Sequence, residues 1–189
     1  MTRFTIASFN VKNLIGPDKE YYEFQRYTPE EYAWKRDWMA EQLQSLNADV
    51  IGFQEIFEEE ALRDVITAAD AEGQAANAAS IPGADKPYRK KAIFRKLAYT
   101  PYAGAALAFA PNLNDGPAGE RRPGVAVLSR LGFEGAPEII QELSEPIRIP
   151  LQSLGGGDDA GHYTVKRLSR PILKVRIPVG GQVITLFNC

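Results

Sequence analysis

Two polar side chains directly follow apolar runs that have the length and composition of β-strands. Asn10 comes after the run from Phe4 to Phe9, and Glu55 comes near the end of the stretch "ADVIGFQEI". An amide oxygen beside a carboxylate oxygen is a pair of hard ligands, which suits Mg²⁺ or Mn²⁺ and suits zinc poorly. If the two strands are neighbours in one sheet, the pair predicts a divalent-cation site at their ends.

A simpler interpretation of both residues stays open beside the metal site. A glutamate after a strand is most often the start of a loop or of a solvated helix, and an asparagine there most often serves a turn. A carboxylate that follows a two-sided apolar strand nevertheless incurs a desolvation cost unless it faces a cleft or binds a cation. Spacing alone therefore leaves a ligand role and a structural role as alternatives for Asn10 and Glu55.

The first elements that position these residues can be predicted from local patterns. "FTIASF" predicts a strand over 4–9, and the turn-rich "NVKNLIGPD" predicts a loop after it. The sequence from Thr28 to Glu31 combines a capping box with proline at the first helical position, so we expect a helix from there to about Leu46. Asn47 is its expected C-terminal cap. Four residues at helical spacing form its predicted buried stripe: Tyr32, Met39, Leu43 and Leu46.

Later elements alternate in type along the chain. "DVIGF" is apolar on both faces, as in a strand covered on two sides. A second helix is predicted over 58–70, followed by an irregular connection through "GQAANAAS" and "IPGADKP". Three more strands are predicted over 104–110, 124–129 and 171–177, and the Gly180-Gly181 pair predicts a hairpin turn into "QVITLFNC". The polar, glycine-rich segment 144–170 is expected to be a loop or an insertion.

This order of elements predicts one α/β layered domain over residues 1–189 with a mixed sheet. The final strand has no closing polar tail and no helix to cover its outer face, so we expect the domain to be incomplete at the C-terminus. The formal net charge of −2 gives no global basic field that would attract a polyanion. A single cysteine excludes an intrachain disulfide and a cysteine zinc cluster.

No secretory leader and no bilayer-spanning apolar run is visible in the sequence. We therefore expect a cytoplasmic protein, with secretion left open if a signal peptide has been removed. The sequence does not indicate an oligomeric state.

Four segments resemble the endonuclease/exonuclease/phosphatase superfamily, in the order that this family shows. They are "FTIASFNVKNL", "WKRDWMAEQLQSLNADVIGFQEI", "RRPGVAVLSR" and the pair "SRPILKVRI … VITLFNC". The resemblance implies a DNase I-like four-layer α/β sandwich with mixed, largely antiparallel sheets. It also implies that the chain holds the first half to two-thirds of that fold.

The same resemblance implies a divalent-metal-dependent phosphodiester hydrolase, with a nuclease favoured. Asn10 and Glu55 match the family positions that hold Mg²⁺, with Mn²⁺ as an alternative. The histidine that follows Asn188 in the family is absent, as are its later "G-D-F-N" and "S-D-H" segments. The single histidine, His162, matches no catalytic position and is expected to be a solvent or loop residue. The chain is therefore expected to carry the metal-binding half of a site without its general base, and to be inactive by itself.

Two further residues have open roles under this resemblance. Asn188 could contact the phosphate or orient its neighbour, and a structural role at the strand end is an equal alternative. Arg170 could bind the substrate phosphate or pair with a carboxylate at the sheet edge, and the structural role is slightly favoured. A non-catalytic interaction module or inactive fragment of the same fold is the alternative function.

The expected substrate is a phosphodiester, with nucleic acid favoured over a phospholipid or an inositol phosphate. "WKRDW" and "YRKKAIFRK" supply local basic and aromatic character that would suit a nucleic-acid backbone. The competing interpretation is favoured for each segment: Trp34 and Trp38 would pack the helix, and 88–96 would be a solvated face.

Overall fold

The computed structural model describes residues 3–22, 25–79, 98–114, 121–150 and 161–189. Two helices and seven strands lie in these ranges. In chain order they are β1 (Ile6–Leu14), α1 (Pro29–Leu46), β2 (Val50–Ile56), α2 (Glu59–Ala79), β3 (Ala106–Ala110), β4 (Gly124–Ser129), β5 (Glu138–Pro150), β6 (His162–Val179) and β7 (Gln182–Asn188). None of the helices in these ranges is long and apolar enough to cross a membrane.

The strands form two sheets that pack face to face. The first sheet has the order β1-β2-β4-β3, and the second has the order β5-β6-β7. Only β1 and β2 pair in parallel, and every other neighbouring pair is antiparallel. The predicted fold class, a DNase I-like α/β architecture with mixed, largely antiparallel sheets, is confirmed. Within the described ranges the layers are a helix pair, the first sheet and the second sheet.

β2 lies at the centre of this arrangement and is covered on both faces. Ile51 and Phe53 face α1 and α2, whereas Val50 belongs to the second core, which contains Leu173 and Val175 of β6. Burial on both faces is the reason that "DVIGF" shows no alternation of apolar and polar residues. The two-sided strand predicted from that pattern is confirmed.

α1 begins and ends where its capping signals predict. Thr28 Oγ1 accepts a hydrogen bond from the Glu31 backbone N–H, and the Glu31 carboxylate accepts one from the Thr28 backbone N–H. Asn47 adopts the left-handed conformation, with φ 41°, and its N–H donates to Leu43 O. Leu46 is 42% exposed, so the prediction that it extends the buried stripe is wrong. The stripe ends one turn before the helix does.

α2 is longer than its pattern suggested. The helix continues through the alanine-rich segment to Ala79, so the predicted irregular connection is wrong over 73–79. Alanine has the highest helix propensity, which favours this extension, and glycine is required at Gly73 because the Tyr99 ring packs where a side chain would be. A Cβ at Gly73 would lie 2.1 Å from a Tyr99 ring atom. The rest of that connection, 80–87, lies outside the described residues.

The segment expected to be a loop, 144–170, contains the arms of a long hairpin. Ile147 pairs with Val165 and Ile149 pairs with Tyr163, so the loop prediction is wrong for 144–150 and 162–170. Most side chains of β5 are exposed, and the alternation of apolar residues is confined to the short runs 147–149 and 163–165, which the sequence analysis did not use. Residues 151–160 lie outside the described ranges. That the hairpin is an insertion in the domain stays a prediction.

The other predicted strands are present, and two of them have different bounds. β3 begins two residues later than expected, and β6 begins nine residues earlier because it forms the second arm of the hairpin. β4 matches its predicted range. Gly180 and Gly181 have φ values of 56° and 82°, as the predicted turn between β6 and β7 requires.

Candidate functional site at the end of β2

The register of β2 is broken on both sides of Glu55. Towards β1, Asn10 pairs with Gln54 and Leu14 pairs with Ile56, so residues 11–13 lie opposite Glu55 alone. Towards β4, Gln54 and Ile56 pair with consecutive residues, which leaves Glu55 without a partner on that strand. Glu55 has φ 67°, a conformation that costs a non-glycine residue on the order of 1 kcal/mol. Bulges with such strain are frequent beside active sites, where they re-aim a side chain.

β1 continues past the point where the sequence predicted a loop. The predicted strand end at Phe9 is wrong, because β1 runs to Leu14 and Asn10 lies inside it. Lys12 and Asn13 have φ values of 51° and 63°, which lets the chain turn aside and rejoin β2. Full burial of Leu14 stabilises this return to the sheet.

The structure brings together three of the predicted site residues: Asn10, Glu55 and Arg170. Asn10 Nδ2 donates to Glu55 Oε1 over 3.1 Å, and Arg170 Nη1 lies 3.5 Å from the same oxygen. The Glu55 side chain is 20% exposed. The carboxylate therefore lies at an accessible strand end and not in the core. Arg170 pairs with a carboxylate, as its structural interpretation predicted. That carboxylate belongs to Glu55, the candidate metal ligand.

The candidate metal ligands at this position are one carboxylate and one side-chain amide. Asn10 Oδ1 accepts from the Lys12 backbone N–H over 2.9 Å, so its oxygen would have to turn towards Glu55 to act as a ligand. Among the described residues, no group of three or more His, Cys, Asp or Glu side chains could hold a metal ion. Mg²⁺ commonly takes one or two protein carboxylates and leaves its other positions to water and substrate phosphate. One accessible carboxylate beside one amide fits that pattern.

Asn188, the fourth predicted residue, lies beneath the site and connects the two sheets. Its side chain is 6% exposed, and Nδ2 donates to Phe53 O over 2.9 Å and to Ala126 O over 2.8 Å. Asn188 Oδ1 accepts from Gln54 Nε2 over 2.5 Å. Both amide hydrogens are therefore occupied by the protein. This geometry favours the positioning role for Asn188 over contact with a phosphate.

Lys35 is a site neighbour that the sequence analysis did not single out. Its Nζ donates to Lys12 O over 2.6 Å and to the Tyr27 hydroxyl over 3.0 Å, which fixes the turn that follows Asn10. Burial, together with the positive charge of Lys12, lowers the pKa of Lys35 to about 8, while the charge of Glu55 acts in the opposite direction. "WKRDW" shows only basic and aromatic character, and nothing in it distinguishes Lys35 from Arg36.

Glu58 is a second residue that sequence reasoning missed. Its carboxylate accepts hydrogen bonds from Lys19 Nζ at 2.8 Å, from the Gly16 backbone N–H at 3.1 Å, and from Arg121 Nη1. Burial raises the pKa of Glu58, but these hydrogen bonds outweigh it and hold the pKa below its usual value. Glu58 thereby ties the segment before β4 to the loop after β1.

The remaining candidates lie away from Glu55 or outside the described residues. His162 is exposed as expected, but it is the first residue of β6 and not a loop residue. It lies eight residues before Arg170 on the same strand. Trp34 is 72% exposed, so the expectation that it packs the helix is wrong, whereas the Trp38 ring lies 6.3 Å from that of Phe9. The basic segment 88–96 lies outside the described ranges.

Comparison with known proteins supports the architecture and not the chemistry. No protein-family model matches the chain, and no curated protein matches it either. A solved structure described as an endonuclease/exonuclease/phosphatase family protein from Leptotrichia buccalis C-1013-b aligns with a TM-score of 0.51 and 17% sequence identity. The alignment covers 99% of this chain and 53% of that one, so the chain spans about half the length of the structure it matches. At this identity the likeness establishes the shared fold.

Proposed function

We propose that the chain carries the metal-binding part of a divalent-metal-dependent phosphodiester hydrolase, with a nuclease favoured. The observation that carries the proposal is the contact between Asn10 and Glu55 at a doubly irregular point of the sheet. The left-handed backbone conformation of Glu55 is costly for a residue other than glycine, and strain of this kind clusters at functional sites. The resemblance in sequence and the shared fold support the same class of chemistry.

Glu55 and Asn10 would hold Mg²⁺, with Mn²⁺ as an alternative. The cation, when bound, polarises a phosphoryl oxygen and offsets the charge that develops on the leaving oxygen. Arg170 lies where its guanidinium can pass from Glu55 to a substrate phosphate, with which arginine forms paired, charge-assisted hydrogen bonds. Asn188 holds Gln54, and with it the end of β2, against the second sheet.

Hydrolysis also needs a base that takes a proton from the attacking water. The only histidine of the chain is His162, the first residue of β6, and it matches no catalytic position of the family that the sequence resembles. We therefore expect metal binding but no turnover from these 189 residues. The same geometry is compatible with a non-catalytic interaction module, which would bind a diester and leave it intact.

Metal binding is the test that does not depend on a general base. Titration of the chain with Mn²⁺, followed by the electron paramagnetic resonance signal of the free ion, should show one site that Glu55→Gln removes. Glu134→Gln is the matched control, because Glu134 is a half-exposed carboxylate that pairs with Arg176 away from the site. Equal Mn²⁺ affinity in the wild type and in Glu55→Gln would overturn the assignment.

A hydrolysis assay distinguishes an enzyme from a non-catalytic interaction module. Plasmid DNA and an activated phosphodiester are incubated with the chain and Mg²⁺, and the products are measured with and without EDTA. The expected result is no cleavage by the 189 residues alone. Cleavage that depends on Mg²⁺ and on Glu55 would contradict the expected inactivity and support the enzyme directly, whereas cleavage that survives Glu55→Gln would overturn the ligand role.

A further inference from the structure

A cavity of about 510 Å³ is lined in part by Arg170, the residue that pairs with Glu55, and by Arg122 and Pro123 just before β4. Three arginines line it, Arg122, Arg167 and Arg170, and no carboxylate is among its lining residues. Arg170 links this arginine cavity to the site, because its guanidinium also contacts Glu55. An excess of arginine without acid, beside a candidate phosphodiester site, points to an anionic ligand.

The three arginines differ in whether their guanidinium groups already pair with a carboxylate of the protein. Arg167 pairs with Glu142 at 2.9 Å, and Arg170 pairs with Glu55 at 3.5 Å. Arg122 is half-buried, its guanidinium lies 5.8 Å from the centre of the Tyr22 ring, and no carboxylate in the described ranges pairs with it. Arg122 is therefore the cation of the cavity that is most available to a ligand phosphate.

The backbone around the arginine cavity is held in place before any ligand binds. Asn112 Nδ2 donates to Pro123 O and to Ser169 O, both over 3.0 Å, and Asn114 Nδ2 donates to Leu168 O over 2.8 Å. These bonds join the segment after β3, the segment before β4 and the middle of β6. A preformed cavity has less ordering entropy to lose when a ligand enters it.

The arginine cavity continues into a longer groove along the β5–β6 hairpin. A second cavity, of about 640 Å³, shares Asn114, Tyr163, Val165 and Arg167 with the first. Tyr163 stands at the junction and is 61% exposed, so that its ring is available for stacking. The groove therefore carries the basic side chains of Lys166 and Arg167 and the ring of Tyr163, with one carboxylate, Glu142, which pairs with Arg167.

A third cavity, of about 760 Å³, approaches the site from the side of β1. Lys12, two residues after Asn10, lines it together with Arg26, Lys35 and the exposed ring of Trp34, and the carboxylates of Glu30 and Glu31 also line it. Because β2 lies between β1 and β4 in the first sheet, Glu55 has cationic and aromatic side chains on each side, and of the three cavities the arginine cavity alone has no carboxylate in its lining. A small headgroup would fill one of these cavities, whereas a polymer with repeated phosphates would use both.

We propose that the groove binds a polynucleotide strand, with Arg122 and Arg170 on a phosphate next to the one at Glu55 and Tyr163 stacked on a base. Arginine pairs with phosphate through its planar fork, and an aromatic ring accepts any base on its face. The inference rests on the proposed function and names its substrate class. With a net charge of −2, the attraction is local to these cavities and not a property of the whole surface.

The test measures binding in EDTA, so that neither a metal nor hydrolysis is needed. The 189-residue chain is titrated into a fluorescein-labelled single-stranded oligonucleotide of about ten nucleotides, and the Kd is read from anisotropy. Arg122→Gln and Tyr163→Ala are each expected to raise the Kd about tenfold, and Tyr163→Phe, which keeps the ring, less than about twofold. Circular dichroism melting shows that each variant is folded.

Arg176→Gln is the charge-matched control, since Arg176 is an exposed arginine six residues beyond Arg170 on the same strand. It should change the Kd by less than about twofold. Equal losses in Arg122→Gln and Arg176→Gln would overturn the proposal, as would the absence of binding by the wild type at low salt. Displacement by inositol hexakisphosphate or by phosphatidylserine vesicles at a lower concentration than by unlabelled oligonucleotide would also overturn it. If the wild type binds the oligonucleotide but shows no Mn²⁺ site in the metal titration, the result counts against the proposed function and not against the nucleic-acid groove.

Discussion

The side-chain amide of Asn10 donates to Oε1 of Glu55 over 3.1 Å, at the point where β2 loses register with both of its neighbours. The irregular pairing of β2 allows the contact between Asn10 and Glu55. In a regular strand, the position after Gln54 would pair with β4 and point its side chain out of the pleat. Here Glu55 has no partner on β4 and adopts φ 67°, and its carboxylate contacts Asn10 on the neighbouring strand instead.

Replacement of Glu55 by glycine should stabilise the metal-free protein. Glycine adopts φ 67° without strain, so Glu55→Gly is expected to raise the free energy of unfolding by about 0.5–1 kcal/mol while it abolishes Mn²⁺ binding. Urea denaturation in EDTA measures the change. Thr185→Gly on β7, at an ordinary strand position, is the control and should destabilise by about 1 kcal/mol. Destabilisation of equal size in both variants would show that the contacts of Glu55 outweigh its strain.

Removal of the Asn188 side chain should weaken the connection between the two sheets. Asn188→Ala leaves the carbonyl oxygens of Phe53 and Ala126 without their buried donor, so the free energy of unfolding is expected to fall by about 2 kcal/mol. Gln182→Ala, at an exposed position on the same strand, should change it by less than about 0.5 kcal/mol. Urea denaturation compares the two, and equal effects would contradict the bridging role.

Gly52 provides an independent check on the same bridge. A Cβ at Gly52 would lie 3.1 Å from Asn188 Oδ1, so Gly52→Ala should disturb the hydrogen bonds of Asn188. In the Asn188→Ala background the crowding atom is gone, and Gly52→Ala should then cost less. A double-mutant cycle measures this coupling, which is expected to be about 1 kcal/mol. Strict additivity of the two substitutions would show that they do not act through one contact.

The lowered pKa of Lys35 should make stability depend on pH above neutrality. Because its pKa falls from 10.5 to about 8 on folding, the unfolded chain binds more protons at this residue between those two values. The free energy of unfolding should therefore rise with pH in that window. Unfolding at pH 7.5 and pH 9.5 measures the effect against Lys35→Arg, whose guanidinium stays charged. The wild type should gain stability relative to Lys35→Arg at the higher pH, and a constant difference would contradict the shift.

Glu58 should give a second pH dependence of the same sign, in the acidic range. Its pKa is lower in the folded protein than in the unfolded chain, so its stabilising contribution is present above the unfolded value and is lost as pH falls through the folded value. Glu58→Gln is expected to cost about 2 kcal/mol at pH 7 and less at pH 3, as measured by urea denaturation. Glu134→Gln, which breaks a half-exposed pair with Arg176, should cost less than about 1 kcal/mol at pH 7. A loss from Glu58→Gln that is independent of pH would contradict the pKa direction.

The sequence by itself determined the elements whose signals are local. The capping box of α1 joins Thr28 and Glu31, three residues apart, and the turn at Gly180-Gly181 needs only its own backbone conformation. Continuous apolar runs predicted β2 and β4, because a strand buried on both faces needs no polar alternation. Asn10 and Glu55 were identified as a pair from the residue types that end two such runs.

Only the tertiary structure decided how that pair is arranged and what surrounds it. The bulge at Glu55 depends on the pairing energies of three strands, and Arg170 reaches Glu55 from 115 residues further along the chain. The β5–β6 hairpin was missed because most side chains of β5 are exposed, so its strands are held by pairing and not by an extended apolar pattern. Long-range packing selects among the many registers that local preferences allow, and for that reason the geometry of the site could not be predicted from its residues.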